Sequence, residues 1–186
     1  DKPEIIYNPS ETNRDYSSRY GDNEDEKEEH TRSTLNSPQA WTPDSKNIGE
    51  WMQINLNKVE EIISIIIKGR FDTKDQYIKS FKIRHSQNNT EWIELSKLFN
   101  INKDAIKDQT CEVRLENSIN AKYIRIYPQT FNSHMSFRAG LKIVDTEVLS
   151  DNIINYYPCI FKHTSNNSNS INIGYKSKNI NNLFNG

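Results

Sequence analysis

The densest chemistry in the chain is a run of acids near the N-terminus. Asp22-Asn23-Glu24-Asp25-Glu26-Lys27-Glu28-Glu29 carries six carboxylates in eight residues. Clustered carboxylate oxygens are what calcium takes as ligands, and Asp22, Glu24, Asp25 and Glu28 form the candidate set. The glycine-centred spacing of an EF-hand is missing, and a block of like charge repels itself, so the plainer reading is a solvated loop. A second group is Arg70-Phe71-Asp72-Thr73-Lys74-Asp75-Gln76. Arg70 can offer a bidentate fork to a carboxylate, and Phe71 a stacking face. The alternative pairs Arg70 with Asp72 or Asp75 at a loop tip. The four histidines, His30, His85, His134 and His163, are isolated in sequence. There is no H-E-x-x-H, no G-x-S-x-G and no glycine-rich phosphate loop, so no enzyme class is indicated. Asn88-Asn89-Thr90 and Asn166-Asn167-Ser168 fit the N-glycosylation pattern, with Asn88 expected at a hairpin tip.

The chain that must position these groups has 186 residues, enough for one ordinary domain and some extra chain. Its mean hydropathy is low, at -0.86, yet 10% aromatics and abundant Ile supply a core. Asn and Ile, at 24 each, together with frequent Lys, look like the codon bias of an A/T-rich genome. Asn-rich stretches and chance glycosylation patterns are therefore partly background. No apolar run is long enough for a transmembrane helix. The start at Asp1, without initiator Met or signal peptide, suggests a mature form or an excised fragment. Two cysteines are too few for a disulfide-stapled miniprotein or a cysteine zinc site, and no cofactor is expected beyond the calcium option. The net charge of -1 excludes a globally basic nucleic-acid binder. That value averages -6 over residues 1–30 with +5 over the rest.

Period-two patterns dominate residues 31–148. Residues 50–57 alternate, with Met52, Ile54 and Leu56 on one face and Gln53 and Asn55 on the other. The run 62–67 is apolar except for Ser64 and reads as a central strand buried on both faces. Residues 77–85 alternate again, 86–90 form a turn, and 91–95 return as a strand around Trp92 and Ile93. Strands follow at 111–115, 122–127 and 137–144, with Pro128 expected to halt the second of them. Residues 98–107 alone have room for a helical turn or two. After Ser150 the chain turns Asn-rich, with possible strands at 153–157 and 171–173 around a polar loop at 164–170. Many short strands with frequent turns indicate an antiparallel sandwich or barrel.

Six blocks, in order, resemble the discoidin, or coagulation factor 5/8 type C, domain family over roughly residues 16–145. Leu35-Asn36 with Ala40-Trp41-Thr42-Pro43 resembles the opening R-L-N and W-x-P block, and Glu50-Trp51-Met52-Gln53-Ile54-Asn55-Leu56 the W-[LM]-Q-[IV]-[DN]-L strand. Residues 62–70, ending Gly69-Arg70, resemble I-x-x-I-x-x-x-G-R, and residues 77–92 the Y-V-K-S-Y hairpin with its tryptophan. Residues 121–128 resemble A-R-Y-I-R-I-x-P, and Met135-Ser136-Phe137-Arg138 the I-S-L-R close. The resemblance implies an all-β fold, a discoidin-like eight-stranded β-sandwich (a distorted jelly-roll barrel), with a C-terminal Asn-rich extension. It divides the chain into a lead-in at 1–15, the domain at 16–149 and the extension at 150–186. It also implies that Trp51 and Trp92 fill the core and that Arg125 and Arg138 make partly buried hydrogen-bonded pairs.

One departure concerns the cysteines. The family's terminal Gly-Cys is replaced by Leu141-Lys142-Ile143-Val144, and no N-terminal Cys is present, so the usual staple is absent. A bridge between Cys111 and Cys159 and a buried thiol at Cys111 both stay open.

Members of the family bind through loops at one barrel end, which the resemblance places at 19–31, 42–50 and 70–76. The expected ligand-binding residues are Tyr20, Asp44, Lys46, Arg70, Phe71, Asp72, Lys74 and Asp75. Membrane-binding relatives carry apolar spikes where this chain carries acids, so direct binding to an anionic membrane is disfavoured. The expected function is a non-catalytic adhesion module for a protein or glycan ligand, in a larger secreted or surface-associated protein. The alternative is an intracellular assembly domain of a multi-protein complex, and a lesser option is calcium-dependent lipid or carbohydrate binding.

Overall fold

In the computed structural model, which describes residues 3–72, 75–101 and 109–146 and the backbone of 159–161 and 172–174, the alternating segments become strands of one antiparallel system. The strands are β1 (Glu4–Tyr7), β2 (Arg14–Tyr16), β3 (Met52–Lys68), β4 (Tyr77–Ser86), β5 (Ile93–Glu94), β6 (Phe99–Asn100), β7 (Cys111–Asn132) and β8 (Arg138–Val144). Their order is β1-β8-β3-β7-β4-β5, with β2 added to β3 and β6 to β4. Residues 4–144 make one unit, and β1 draws the lead-in into it by pairing Glu4 with Val144. By itself, the C-terminal region holds an antiparallel hairpin of β9 (Cys159–Phe161) and β10 (Asn172–Gly174). Residues 153–157 and the side chain of Cys159 lie outside the described residues.

Two pairs of expected strands are each continuous. β3 and β7 pair with each other from Met52↔Ile126 to Ile67↔Cys111, with register shifts between Asn55 and Glu60 and between Ile62 and Ser64. Asn57, at φ 64°, marks the bend. Beyond it the ribbon changes partners: residues 52–54 pair with β2, and residues 62–68 with β8. This bent ribbon joins the two layers of the sandwich. The run 62–67 is buried throughout, as its lack of a polar face implies.

Other local readings change for identifiable reasons. Pro128 does not halt β7. It pairs with Phe81 while Thr130 pairs with Ser80, so a register irregularity absorbs the missing N–H. The same irregularity breaks strict alternation in β4 and lets Ile78 and Phe81 both reach the core. Only Ile93–Glu94 of the expected strand 91–95 is paired. The helical turn expected over 98–107 gives way to β6 at its start, and 102–108 lie outside the described residues.

The acidic block is not a loop. It forms helix α1 (Glu24–Glu29), capped by Asn23, whose side chain accepts from the Glu26 amide at 2.9 Å. Glu24, Asp25 and Glu26 occupy the first turn, where the helix dipole favours negative charge, and Lys27 pairs with Glu24 at 3.1 Å.

The core tryptophan is Trp41, fully buried, stacked on Tyr16 at 5.7 Å and edge-on to Phe137 at 5.5 Å. Trp51 and Trp92 instead are half-buried and sandwich the Arg125 guanidinium, 3.9 and 4.0 Å from their ring centres. Arg125 Nε donates to Gln53 at 2.8 Å. Arg138 is buried and donates to the carbonyls of Gly69, Leu35 and Ser37, tying the segment after Ser33 to β8. Leu35 presses on Gly140 there: a Cβ on Gly140 would lie 2.6 Å from Leu35 Cδ1 and 3.3 Å from the Tyr7 carbonyl. Gly140→Ala is therefore expected to cost about 1–3 kcal/mol in a urea titration. An unchanged midpoint would show that Leu35 moves aside freely.

Candidate functional site

Contacts between loops gather one end of the sandwich. Loops 17–31, 42–51, 69–72, 75–76 and 133–137 adjoin strand ends at Tyr16, Met52, Lys68, Tyr77 and Asn132, and the bend in β3 lets its two ends, Met52 and Lys68, serve the same rim. Backbone bonds bind these loops together: Tyr20 donates to Thr42 at 2.9 Å, Thr42 to His30 at 3.0 Å and Phe137 to Trp41 at 3.2 Å, while Arg70 donates to Gln76 at 3.1 Å across its own loop. The Asp75 carboxylate accepts from Ser133 Oγ at 3.0 Å, and its carbonyl from Asn132 Nδ2 at 2.7 Å. A polar rim with a fixed backbone is suited to recognition.

Arg70 is the centre of a hydrogen-bonded chain. Its guanidinium donates to both Asp72 oxygens at 2.5 and 2.9 Å, to Gln76 Oε1 at 3.2 Å and to Gln39 Oε1 at 3.2 Å. Gln76 Oε1 also accepts from Ser136 Oγ at 3.0 Å, and Ser136 meets Thr42 Oγ1 at 3.0 Å. The Arg70 side chain keeps 13% exposure and Asp72 38%, so the pair lies at the water boundary. The Arg70 hydrogen bond and charge hold the Asp72 carboxyl below its ordinary range, although burial opposes them.

Beside this chain stand three rings. The Tyr20 ring contacts His30 at 5.1 Å and His134 at 6.4 Å, both edge-on, and Tyr20 remains 51% exposed. His30 is the C-cap of α1, and its Nδ1 is buried without a hydrogen-bond partner. Burial pushes the His30 imidazole below its ordinary value, and the nearby Arg70 charge adds to this. Burial does the same for His134, followed by Lys46, Arg70 and His30. Glu50 braces the remaining loop: its carboxylate accepts from the hydroxyls of Ser17, Ser18 and Ser45. Burial pushes Glu50 up, but these hydroxyls outweigh it and hold the carboxyl low.

The histidines set an acid limit on stability. His30, His85 and His134 all titrate lower in the fold than in the unfolded chain, where histidine titrates near ~6.5. Below that value the unfolded state binds more protons, so stability falls as pH drops from about 6.5. The lowered Asp72 and Glu50 act further into acid, losing their contribution only as they protonate. The melting temperature at pH 5.5 should lie below that at pH 7.5; equal values would contradict the burial of these imidazoles.

The rim gathers most of the expected site residues in different roles. Tyr20, Arg70 and Asp72 face the same region. Phe71, 36% exposed, lies under Arg138 at 5.6 Å. Asp75 is a brace between loops. Asp44 and Lys46 are exposed, with the Asp44 amide held by Ser18 Oγ at 3.0 Å. Lys74 and Asn166 lie outside the described residues. Asp22, Glu24, Asp25 and Glu28 lie on or beside α1, and among the described residues no three His, Cys, Asp or Glu side chains stand together as a metal site.

Sequence reading missed Gln39, Ser136 and His30, placed Gln76 in the Arg70 loop without giving it a role, and treated His134 as solitary. Nothing local in the sequence marks them, because each acquires its role from a neighbour on another loop. A separate cleft of about 200 Å³, lined by residues including Leu95, Phe99, Leu115 and Ile119, lies at the ribbon's bend, and the Lys97–Glu116 ion pair borders it.

Comparison with known proteins adds the family. The model of the F5/8 type C domain matches residues 12–141. Discoidin-2 of Dictyostelium discoideum is 28% identical over 108 residues, covering 57% of this chain and 41% of that protein. The venom prothrombin activator pseutarin-C non-catalytic subunit of Pseudonaja textilis is 31% identical over 112 residues, covering 55% of this chain and 7% of that protein. The chain thus spans less than half the length of these relatives. The structure of recombinant Dictyostelium discoideum discoidin II superposes with a TM-score of 0.61 at 25% identity, covering 71% of this chain and 55% of that one. A family 32 carbohydrate-binding module of Clostridium perfringens NanJ, in complex with galactose, shares the fold at 16% identity and a TM-score of 0.52, covering 74% of this chain and 99% of that one. The matched region contains the whole sandwich except β1 and the end of β8, and the chain belongs to the F5/8 type C domain family, whose domains are non-catalytic ligand-binding modules for carbohydrate, lipid or protein.

Proposed function

We propose that this domain binds a glycan at the rim formed by Tyr20, Gln39, Arg70, Asp72 and His134. The observation that carries this reading is the pairing of Arg70 with Asp72 at the water boundary, beside the half-exposed Tyr20 ring. A sugar hydroxyl both gives and takes a hydrogen bond, and a carboxylate next to a guanidinium offers both halves. A tyrosine face suits the apolar C–H side of a sugar ring. Arg70 is held flat by three partners, so little order has to be created on binding.

A protein ligand is the second reading, favoured by Ile48 at 61% exposure alongside Tyr20 and Phe71 on neighbouring loops. Either ligand fits a secreted or surface-associated setting, and a protein ligand also fits an intracellular assembly. The acids of α1 border the rim and would be repelled by an anionic leaflet.

A glycan array probed with the full chain at neutral pH tests the choice. Saturable binding to a set of related glycans is the expected result. An empty array, with a purified protein ligand bound instead and competing at the rim, would replace the first reading with the second.

A further inference from the structure

We propose that Asn88 is an N-glycosylation site, modified when the chain passes through a secretory compartment. The sequence pattern alone is weak in a chain this rich in Asn, but the structure adds three independent features.

The first is the chemistry of the side chain. Asn88 Oδ1 accepts from the Thr90 amide at 3.0 Å, the Glu91 amide at 2.9 Å and Ser86 Oγ at 3.2 Å. Two backbone N–H donors fix that atom as the oxygen, so Nδ2 points the other way. The bond from Nδ2 is a long one, 3.4 Å to the exposed Glu91 carboxylate. Glycosylation uses only Nδ2. It attacks the anomeric carbon of a lipid-pyrophosphate-linked oligosaccharide; the new C–N bond forms, the sugar–pyrophosphate bond breaks, Nδ2 gives up one proton and the lipid pyrophosphate leaves. The carbonyl oxygen and its three bonds survive, and one N–H remains for Glu91.

The second feature is the turn. Ser86 Oγ accepts from the amides of Asn88 and Asn89 at 3.2 and 3.0 Å, and Asn89 takes φ 66°. Residues 87–91 are exposed, so the tip is rigid and open at once. The third is position. Ser86 pairs with Tyr123, whereas the rim lies where Tyr77 pairs with Asn132, nine residues further along β4. A glycan on Asn88 would therefore project well away from Arg70 and Asp72, although Trp92, just after the turn, shares the Arg125 guanidinium with Trp51 of loop 42–51.

The 186-residue chain, directed into a eukaryotic secretory pathway, tests this by peptide mapping of the protein recovered from secretory compartments and medium after enzymatic deglycosylation in heavy-oxygen water. The expected result is a labelled aspartate at position 88, scored separately from Asn166. Thr90→Ser, which keeps the hydroxyl, should retain the label, and Thr90→Val, which keeps the backbone bond to Oδ1, should lose it. An unlabelled Asn88 in wild-type protein overturns the proposal. Glycan-array binding by Thr90→Val should match wild type, so failure at Asn88 and failure of the rim reading are separate results.

Discussion

Arg70→Ala should lose binding to the array-positive glycan by about 10–100-fold, the effect of removing roughly 1.5–3 kcal/mol of charge-assisted hydrogen bonding. Two effects coincide in that variant. The donor fork disappears, and Asp72, Gln39 and Gln76 lose the group that orients all three. Stability should move far less, by about 1 kcal/mol or under, because the Arg70–Asp72 pair sits partly in water. Arg70→Lys should recover only part of the affinity, since an ammonium cannot serve the planar set of acceptors at once. Isothermal titration with the bound glycan, next to a urea titration of each variant, separates the two effects. If Arg70→Ala binds like wild type, the glycan does not sit at this rim.

The largest expected loss of stability belongs to Trp41→Ala, at about 3–5 kcal/mol. Trp41 is fully buried between Tyr16 and Phe137, and its Nε1 donates to the Ser18 carbonyl at 2.9 Å. Removing the indole empties the space between two rings and strands that carbonyl. Trp41 also bridges Thr31 on one side and Phe137 on the other, so the loop bearing Tyr20 and His30 should loosen with it. Trp41→Phe keeps a ring but not the donor, and should cost less than the alanine variant. A loss under about 1 kcal/mol for Trp41→Ala would show that the core repacks around the gap.

What the sequence made legible follows a physical divide. Alternation at 52–56 placed Met52, Ile54 and Leu56 in the core, and the run at 62–67, apolar but for Ser64, reported burial on both faces, because a strand's two faces are written residue by residue. Gln53, read onto the polar face, is buried as well, where it accepts from Arg125. Pro128 misled because the cost of its missing N–H depends on a bulge between β4 and β7, which alternation does not encode. Trp51 and Trp92 misled because an arginine can hold aromatic rings at a sheet surface as firmly as a core does. The acidic block misled because one cap at Asn23 and a favourable dipole outweigh its self-repulsion. At the rim, Arg70 and Tyr20 were visible from their chemistry and position. The Gln76–Ser136–Thr42 chain was not, because it joins residues up to 94 positions apart through side chains of ordinary polar type.

The pairing of Glu4 with Val144 ties the order of synthesis to the order of folding. During translation the first strand of the domain emerges long before its partner, and at about 5–20 residues per second that wait is on the order of ten seconds. The β3–β7 ribbon sharpens the same problem, since Met52 must find Ile126 across an unfinished chain. Folding should therefore be slow among domains of this size, on the millisecond-to-second scale of all-β topologies. Through that interval Ile5 and Ile6 travel on an unpaired strand, and the nascent domain needs shielding from its neighbours until β8 arrives.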